Sequence, residues 1–341
     1  MSLDVRLETY LTAQIGAPVR VEGLARRSGG ASRETYLFEA RWAAGGDERL
    51  QGYVLRRDPV ASLLESDRTQ EYRTLEAAAR AGIPVPRVCW LELGGDALER
   101  PFFIMERVEG MPTPPTFPPA YPEAMRARTA QDFVALLARL HAADWREVGF
   151  DFLEDPGPGD AAAKRAVAQW RAIYDADQIE PHPLLDRAFG WLERNAPATD
   201  RVAVVHGDYR SGNYLHDAEG GITAILDWEM THLGDPLEDL GWATMPYWSS
   251  EGRAGGLEPE AEMIARYERE TGRPVDRRRL RFYQILGTVK MAVISLTGLR
   301  NFCEGRSAEP TLAVVGFLVG RLMRELVGQL AAAEGLLCDP I

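Results

Sequence analysis

The chain has 341 residues, 45% of them hydrophobic and 26% charged, which is enough to bury a substantial core and to build two medium-sized lobes. A formal charge of −12 excludes the basic stripe that nucleic-acid binders need, and it offers no attraction to an anionic membrane surface. The three cysteines, Cys89, Cys303 and Cys338, contain no C-x-x-C pair, so neither a zinc centre nor a disulfide framework is expected.

In chain order, residues 3–15 have the spacing of a short helix, and the first ten residues lack the apolar core of a signal segment. Strand-like runs follow at 19–25, 35–42 and 50–56, with the turn-rich segment 27–33 between the first two. Residues 67–81 return to helical spacing and Gly82 is placed to end that helix, after which Ile83-Pro-Val-Pro forces an extended path. Runs at 88–93 and 102–105 complete a sheet of about five strands. Beyond Glu106 the pattern is helical, at 121–143, 161–175, 184–195, 236–245, 259–271, 276–301 and 311–334, with short strands near 201–205 and 222–226. The Pro-rich stretch 111–122 reads as a surface loop. The longest apolar stretch, 312–320, is too short to cross a bilayer and reads as a buried helix, so a cytoplasmic protein is expected. A small sheet lobe followed by a larger helical one is an α+β plan, and the cleft between two such lobes is a natural ligand site.

The chemistry concentrates in Val-Val-His-Gly-Asp-Tyr-Arg-Ser-Gly-Asn, residues 204–213, and Ile-Leu-Asp-Trp-Glu, residues 225–229. Asp208 can accept the proton of an attacking hydroxyl. Asn213, five residues on, offers an amide oxygen, and Asp227 follows a buried apolar run with a full negative charge. One carboxylate plus one amide oxygen suits Mg²⁺, which takes hard oxygen ligands and shares its shell with water and phosphates. Phosphoryl transfer needs alignment and charge neutralisation more than covalent chemistry, and Arg210 is placed to contact the transferring group. The same Asp-to-Asn interval occurs in the catalytic loop of protein kinases. His206 reads as a brace of this loop rather than a proton carrier.

In the sheet lobe, Ser-Gly-Gly-Ala-Ser, residues 28–32, could bring backbone N–H groups of Gly29, Gly30 and Ser32 to phosphate oxygens, though alone it is a hairpin turn. Arg56 on the third strand and Glu71 on the next helix form a candidate pair that would aim a cation at the α- and β-phosphates. Strand alternation sends Arg57 to the other face.

These motifs resemble the aminoglycoside phosphotransferase and choline kinase superfamily over nearly the whole chain. Gly-Asp-Tyr-Arg-Ser-Gly-Asn at 207–213, Leu-Asp-Trp-Glu at 226–229 and Gly-Asp-Pro-Leu-Glu-Asp-Leu-Gly-Trp at 234–242 resemble the branch often fused to acyl-CoA dehydrogenases. The resemblance implies a protein-kinase-like bilobal fold, with a five-stranded antiparallel sheet lobe at 1–105 that binds nucleotide and a helical lobe at 106–341 that carries catalysis and the substrate. It implies ATP, or GTP in its place, with Mg²⁺ as cofactors, Asp208 as the catalytic Asp, and Asn213 and Asp227 as Mg²⁺ ligands. It also implies a hinge at 103–108, including Glu106 and Val108, whose backbone holds adenine. The acceptor would be a small-molecule hydroxyl, a hydroxyacyl-CoA or hydroxy acid by branch, an aminoglycoside or choline by superfamily. Two departures stand out: arginine occupies the usual lysine position at 56, and Arg33 follows Ser32 where the branch often has Asn.

Other signals are weaker. No Walker A sequence is present, and the G-x-G-x-x-A match at 157–162 lacks a preceding strand, so neither a P-loop nor a dinucleotide fold is expected. Asp235 before Pro236 reads as a helix cap. Asp239 fits either an anchor for the loop 206–213 or a solvated helix face. Glu229 fits either a metal or substrate contact or a loop cap. His141 reads as core or helix-end packing. Trp228, Trp242, Tyr247 and Trp248 read as core, with an aromatic box for a quaternary ammonium as the sharper alternative. A nucleotide-binding pseudokinase or a metal-dependent phosphohydrolase are the competing functional readings.

Overall fold

Strand alternation divides the N-terminal sheet between two cores. The computed structural model describes residues 1–27, 34–58, 68–306 and 310–335. Helix α1 (Leu3–Ile15) precedes β1 (Val19–Arg27), β2 (Glu34–Ala44), β3 (Asp47–Arg57), α2 (Arg68–Arg80), β4 (Val88–Glu92) and β5 (Phe102–Glu106). The five strands pair antiparallel in the order β1-β2-β3-β5-β4. On one face Phe38, Tyr53, Leu55, Phe102 and Ile104 meet Leu7, Tyr10 and Leu11 of α1. On the other, Val54, Phe103 and Met105 meet Leu75 and Ala78 of α2. That second face carries Arg56 into the cleft, while Arg57 turns the other way and pairs with Glu34 at 2.7 Å. The glycine-loop residues Gly29, Gly30, Ser32 and Arg33 lie outside the described residues.

The C-terminal part begins with β6 (Met111–Pro112) and α3 (Glu123–Ala142), α4 (Ala161–Asp177) and α5 (Pro183–Arg194). Four short strands follow, β7 (Ala203–Val205), β8 (Tyr214–His216), β9 (Ile222–Ile225) and β10 (His232–Gly234). Then come α6 (Leu237–Thr244), α7 (Glu260–Thr271), α8 (Arg277–Cys303), α9 (Pro310–Val315) and α10 (Leu318–Ala333). The long α8 runs through the centre and packs against α4, α5, α6, α9 and α10. By length and composition α8 could cross a bilayer, but its most apolar window is 78% buried inside the protein. It is a core helix, capped by Asp276, whose carboxylate accepts the N–H groups of Arg278 and Arg279.

Three expectations are corrected. Residues 111–122 are not a free surface loop. Met111–Pro112 pairs with β8, Thr113 is buried, and Phe117 is fully buried with its N–H on the Gly255 carbonyl at 2.7 Å. An apolar ring with a satisfied backbone can be drawn into the core whatever the surrounding prolines suggest. Residues 311–334 form two helices rather than one, broken at Gly316 and Phe317 by successive i→i+3 hydrogen bonds. Consequently 312–320 is not a buried helix: Leu312 is inside, but Val314 and Phe317 are exposed.

Candidate active site

One β-hairpin and one longer-range strand pair bring the sequence-distant groups together. β8 pairs with β9 so that Tyr214 faces Ile225, and the Leu226 N–H donates to the Asn213 carbonyl at 2.8 Å. Leu226, the residue after β9, is thereby set beside Asn213, the residue before β8, and Asp227 follows directly. Asp227 has φ +66°, a left-handed conformation that a branched side chain tolerates poorly and that Asp accepts more readily. It marks a backbone held by its surroundings to aim a carboxylate into the cleft.

The loop 206–213 is braced from beneath. β7 pairs with β10, and at the end of β7 the Asp239 carboxylate accepts the N–H groups of His206 at 2.7 Å and Gly207 at 2.9 Å. Asp239 is fully buried and also meets His141 Nε2 at 3.2 Å, while His141 Nδ1 meets the Tyr267 hydroxyl at 2.8 Å. Burial alone would raise the Asp239 pKa, but the His141 contacts and the loop amide reverse this and leave it below the usual carboxylate range. The solvated-face reading of Asp239 is therefore overturned, and His141 belongs to a buried polar network. His206 bridges the two halves of the site: its Nε2 faces the Leu226 carbonyl at 3.0 Å and its Nδ1 accepts from the Asp208 N–H at 3.1 Å. Burial pushes its pKa down against the nearby carboxylates, which matches a neutral ring with the proton on Nε2. Asp235 keeps its capping bond, from the Leu237 N–H to Oδ1 at 2.9 Å, although Pro236 rather than Asp235 occupies the N-cap position.

The Asp208 carboxylate is held at both ends. Oδ1 accepts from Arg210 Nε at 2.9 Å and Trp242 Nε1 at 2.7 Å, and Oδ2 accepts from Asn213 Nδ2 at 2.6 Å. With its nitrogen committed to Asp208, Asn213 keeps its amide oxygen for another partner. Arg56 Nη2 lies 3.0 Å from Glu71, 3.8 Å from Asp227 and 3.9 Å from Glu229. Burial works against the Arg56 charge, but these carboxylates outweigh it and raise its pKa further. The low-polarity cleft pushes the Asp227 pKa up and Arg56 opposes that, with Asp208 and Glu71 adding to the rise. Such crowding of carboxylates is what a divalent cation relieves. The hard oxygens of Asn213 and Asp227 fit Mg²⁺, though among the described residues no group of three or more His, Cys, Asp or Glu forms a complete metal cage.

One cavity of about 850 Å³ joins these groups. It runs past Arg56, Glu71, Met105, Glu106 and Val108, then Asp208, Arg210, Asn213, Asp227 and Glu229, and is also walled by Trp170, Ile173, Ile294 and Thr297. At the hinge, the N–H groups of Glu106 and Arg107 are taken by the Arg87 and Gly52 carbonyls, both at 2.9 Å. The aromatic set is not an open cation box. Trp228 packs on His206 with centroids 4.5 Å apart, and the protein's own cations cover the other rings. Lys290 lies 4.5 Å from the Trp242 ring, Arg210 lies 4.6 Å from Trp248, and Arg321 lies 5.0 Å from Tyr247. Lys290 and the Trp242 contact to Asp208 went unrecognised in the sequence. One signal was available: among 39 basic residues only two are lysines, and Lys290 sits inside an apolar helix.

A five-stranded antiparallel sheet over a helical lobe, with an Asp–Asn–Asp constellation and an Arg–Glu pair on one cleft, defines a phosphotransferase of the protein-kinase-like fold, the class of the small-molecule kinases. Residues 23–283 match the model of the phosphotransferase enzyme family, and the chain belongs to that family. It is 32% identical over 252 residues to acyl-CoA dehydrogenase family member 11 of Gallus gallus, which covers 71% of this chain and 30% of that protein. To acyl-CoA dehydrogenase family member 10 of Mus musculus it is 30% identical over 253 residues, again 71% of this chain but 22% of the relative. The chain thus spans less than a third of the length of these two relatives. Among solved structures, a Ralstonia eutropha protein provisionally assigned as an aminoglycoside phosphotransferase superposes with a TM-score of 0.75 at 24% identity, over 97% of this chain and 98% of that one. A macrolide 2'-phosphotransferase type I gives a TM-score of 0.58 at 19% identity, over 100% and 99% of the two chains. At these identities the structures establish the fold.

Proposed function

We propose that the chain transfers the γ-phosphoryl group of ATP, bound with Mg²⁺, to a hydroxyl of a small molecule, and that the acceptor is a hydroxyacyl-CoA or a related hydroxy acid. The observation that carries the transfer reading is the convergence of Asp208, Asn213, Asp227 and the Arg56–Glu71 pair on a single cavity. Residues 1–105 would bind the nucleotide and 106–341 would supply catalysis and the acceptor site. The Glu106 carbonyl and Val108 N–H would meet the adenine edge, with GTP as the competing donor at the same hinge. Arg56, oriented by Glu71, would hold the α- and β-phosphates, with Gly29, Gly30 and Ser32 over them. Asn213 and Asp227 would hold Mg²⁺, which supplies charge neutralisation on the phosphates when bound. Arg210 would contact the transferring group. Asp208 would take the proton of the acceptor hydroxyl as it attacks in line.

The acceptor reading rests on two further supports. Aminoglycosides carry several ammonium groups and call for an acidic wall. Here the wall contributed by α4 and α8 is Trp170, Ile173, Ile294 and Thr297, which suits an apolar chain. Two relatives at 30% identity or more carry the name acyl-CoA dehydrogenase family member, although an aminoglycoside 3'-phosphotransferase of Streptomyces fradiae is also similar, at 27% identity.

A coupled ADP-release screen over hydroxyacyl-CoAs, hydroxy acids, aminoglycosides and choline tests both parts. Acceptor-dependent ADP release with a hydroxyacyl-CoA is expected, abolished by chelating Mg²⁺ and reduced at least about 100-fold in Asp208→Asn. Nucleotide binding without turnover on any acceptor would point to a pseudokinase instead, and phosphate release from esters without nucleotide to a hydrolase.

A further inference from the structure

We propose that Trp242 is a positioning residue for Asp208, fixing the carboxylate so that Oδ2 is the oxygen presented to the acceptor hydroxyl. The inference rests on the reading of Asp208 as the base. A carboxylate oxygen has two lone pairs in its plane. Both on Oδ1 are engaged, by Trp242 Nε1 at 2.7 Å and Arg210 Nε at 2.9 Å. Among the described residues Oδ2 has one donor, Asn213 Nδ2 at 2.6 Å, which leaves one lone pair for the acceptor. When the acceptor oxygen attacks the γ-phosphorus, its O–H bond breaks and the proton passes to that lone pair. The new P–O bond forms, and the bond to the bridging oxygen breaks with its electron pair leaving on ADP.

Of the two donors to Oδ1, Arg210 is a long side chain with alternatives. It also donates to the Ser211 carbonyl at 3.1 Å and lies against the Trp248 ring. Trp242 has none: an indole is a donor only, through one N–H, and its ring is 3% exposed. The ring is fixed from several sides. Lys290 packs on it at 4.5 Å and donates to the Gly207 carbonyl, one residue before Asp208. Trp248 meets it edge-on at 5.6 Å. On α8, Gly287 leaves the space the ring needs, since a Cβ there would stand 3.3 Å from it. The carboxylate is thus clamped at Oδ1 by a rigid group from α6 and at Oδ2 by Asn213, so it cannot rotate its free lone pair away from the acceptor.

The test removes one N–H and keeps the shape. Trp242 is replaced by 3-benzothienylalanine, in which sulfur stands for the indole N–H, and separately by Phe. Turnover is measured with Mg²⁺-ATP and hydroxybutyryl-CoA, and with water as acceptor by slow ADP formation, so that the result does not depend on the acceptor reading. Both variants are expected to lose about 10- to 100-fold in kcat, the value of one hydrogen bond to a charged group, with KM for nucleotide and acceptor within about twofold of the parent. The benzothienyl variant is expected to melt at the parent temperature. A benzothienyl variant with parental kcat would overturn the proposal, as would a kcat loss matched by an equal loss of nucleotide affinity. Asp208→Asn is run alongside: if it turns over like the parent, the base reading itself fails, whereas an inactive Asp208→Asn beside unaffected Trp242 variants removes only the positioning role.

Discussion

Gly207 joins β7 to Asp208 with φ +85°, and a Cβ at this position would overlap the Met230 carbonyl. Both the dihedral and the contact demand glycine. Gly207→Ala is expected to lower stability by at least ~2 kcal/mol and to cut turnover by displacing Asp208, read by urea unfolding and the ADP assay. Arg56 makes a different demand. Its Nη2 sits among Glu71, Asp227 and Glu229 at the end of a planar group, whereas lysine would place a compact charge on a shorter stem. Arg56→Lys is expected to raise the KM for ATP severalfold while keeping measurable kcat, a split that steady-state kinetics resolves.

At the scale of elements, α6 carries the electrostatics of the loop beneath Asp208. Asp239 on α6 and Asp235, just before the helix, shift in opposite directions because their partners differ in geometry. Asp239 accepts well-formed N–H bonds and meets His141, whereas Asp235 Oδ2 lies 3.3 Å from Arg279 Nε without the alignment of a hydrogen bond. For Asp235 burial therefore dominates, and its pKa rises to about 6, against Arg279 and the Leu237 N–H. A folded-state pKa above the unfolded value means stability that is fully present below the unfolded pKa and lost as pH rises through about 6. Between pH 4 and 7 the parent should thus lose up to ~3 kcal/mol relative to Asp235→Asn, checked by urea unfolding of both across that range. Asp239 acts in the opposite sense. Its depressed pKa adds stability above the unfolded value that disappears as pH falls through the folded one. The helical periodicity of α1 to α8 was legible along the chain, with ends displaced by a residue or two. The break between α9 and α10 was not, because a single Gly316 is compatible with a continuous helix until tertiary contacts choose otherwise.

For the whole molecule, the cavity spans two kinds of surface, and each should fail separately. Ile294 on α8 lines the wall we assign to the acceptor. Ile294→Asp is expected to raise the KM for a hydroxyacyl-CoA at least about tenfold and leave the KM for ATP within about twofold, since it places an unpaired charge against an apolar chain. Equal effects on both substrates would remove α8 from the acceptor site.

The spacing of Asp208, Asn213 and Asp227, the alternation that separates Arg56 from Arg57, and the order of sheet and helices could be read from the chain because each depends on neighbours within one hairpin, strand or helix. The contacts of Trp242 and Lys290 with the loop around Asp208, the burial of Asp239, the cations seated on Trp248 and Tyr247, and the apolar wall of α4 and α8 could not. They arise where α6 meets α3 and α8, where α4 meets α8, and where α10 meets the segment after α6, and such contacts are decided by the packing of side chains distant in sequence, which no local periodicity encodes.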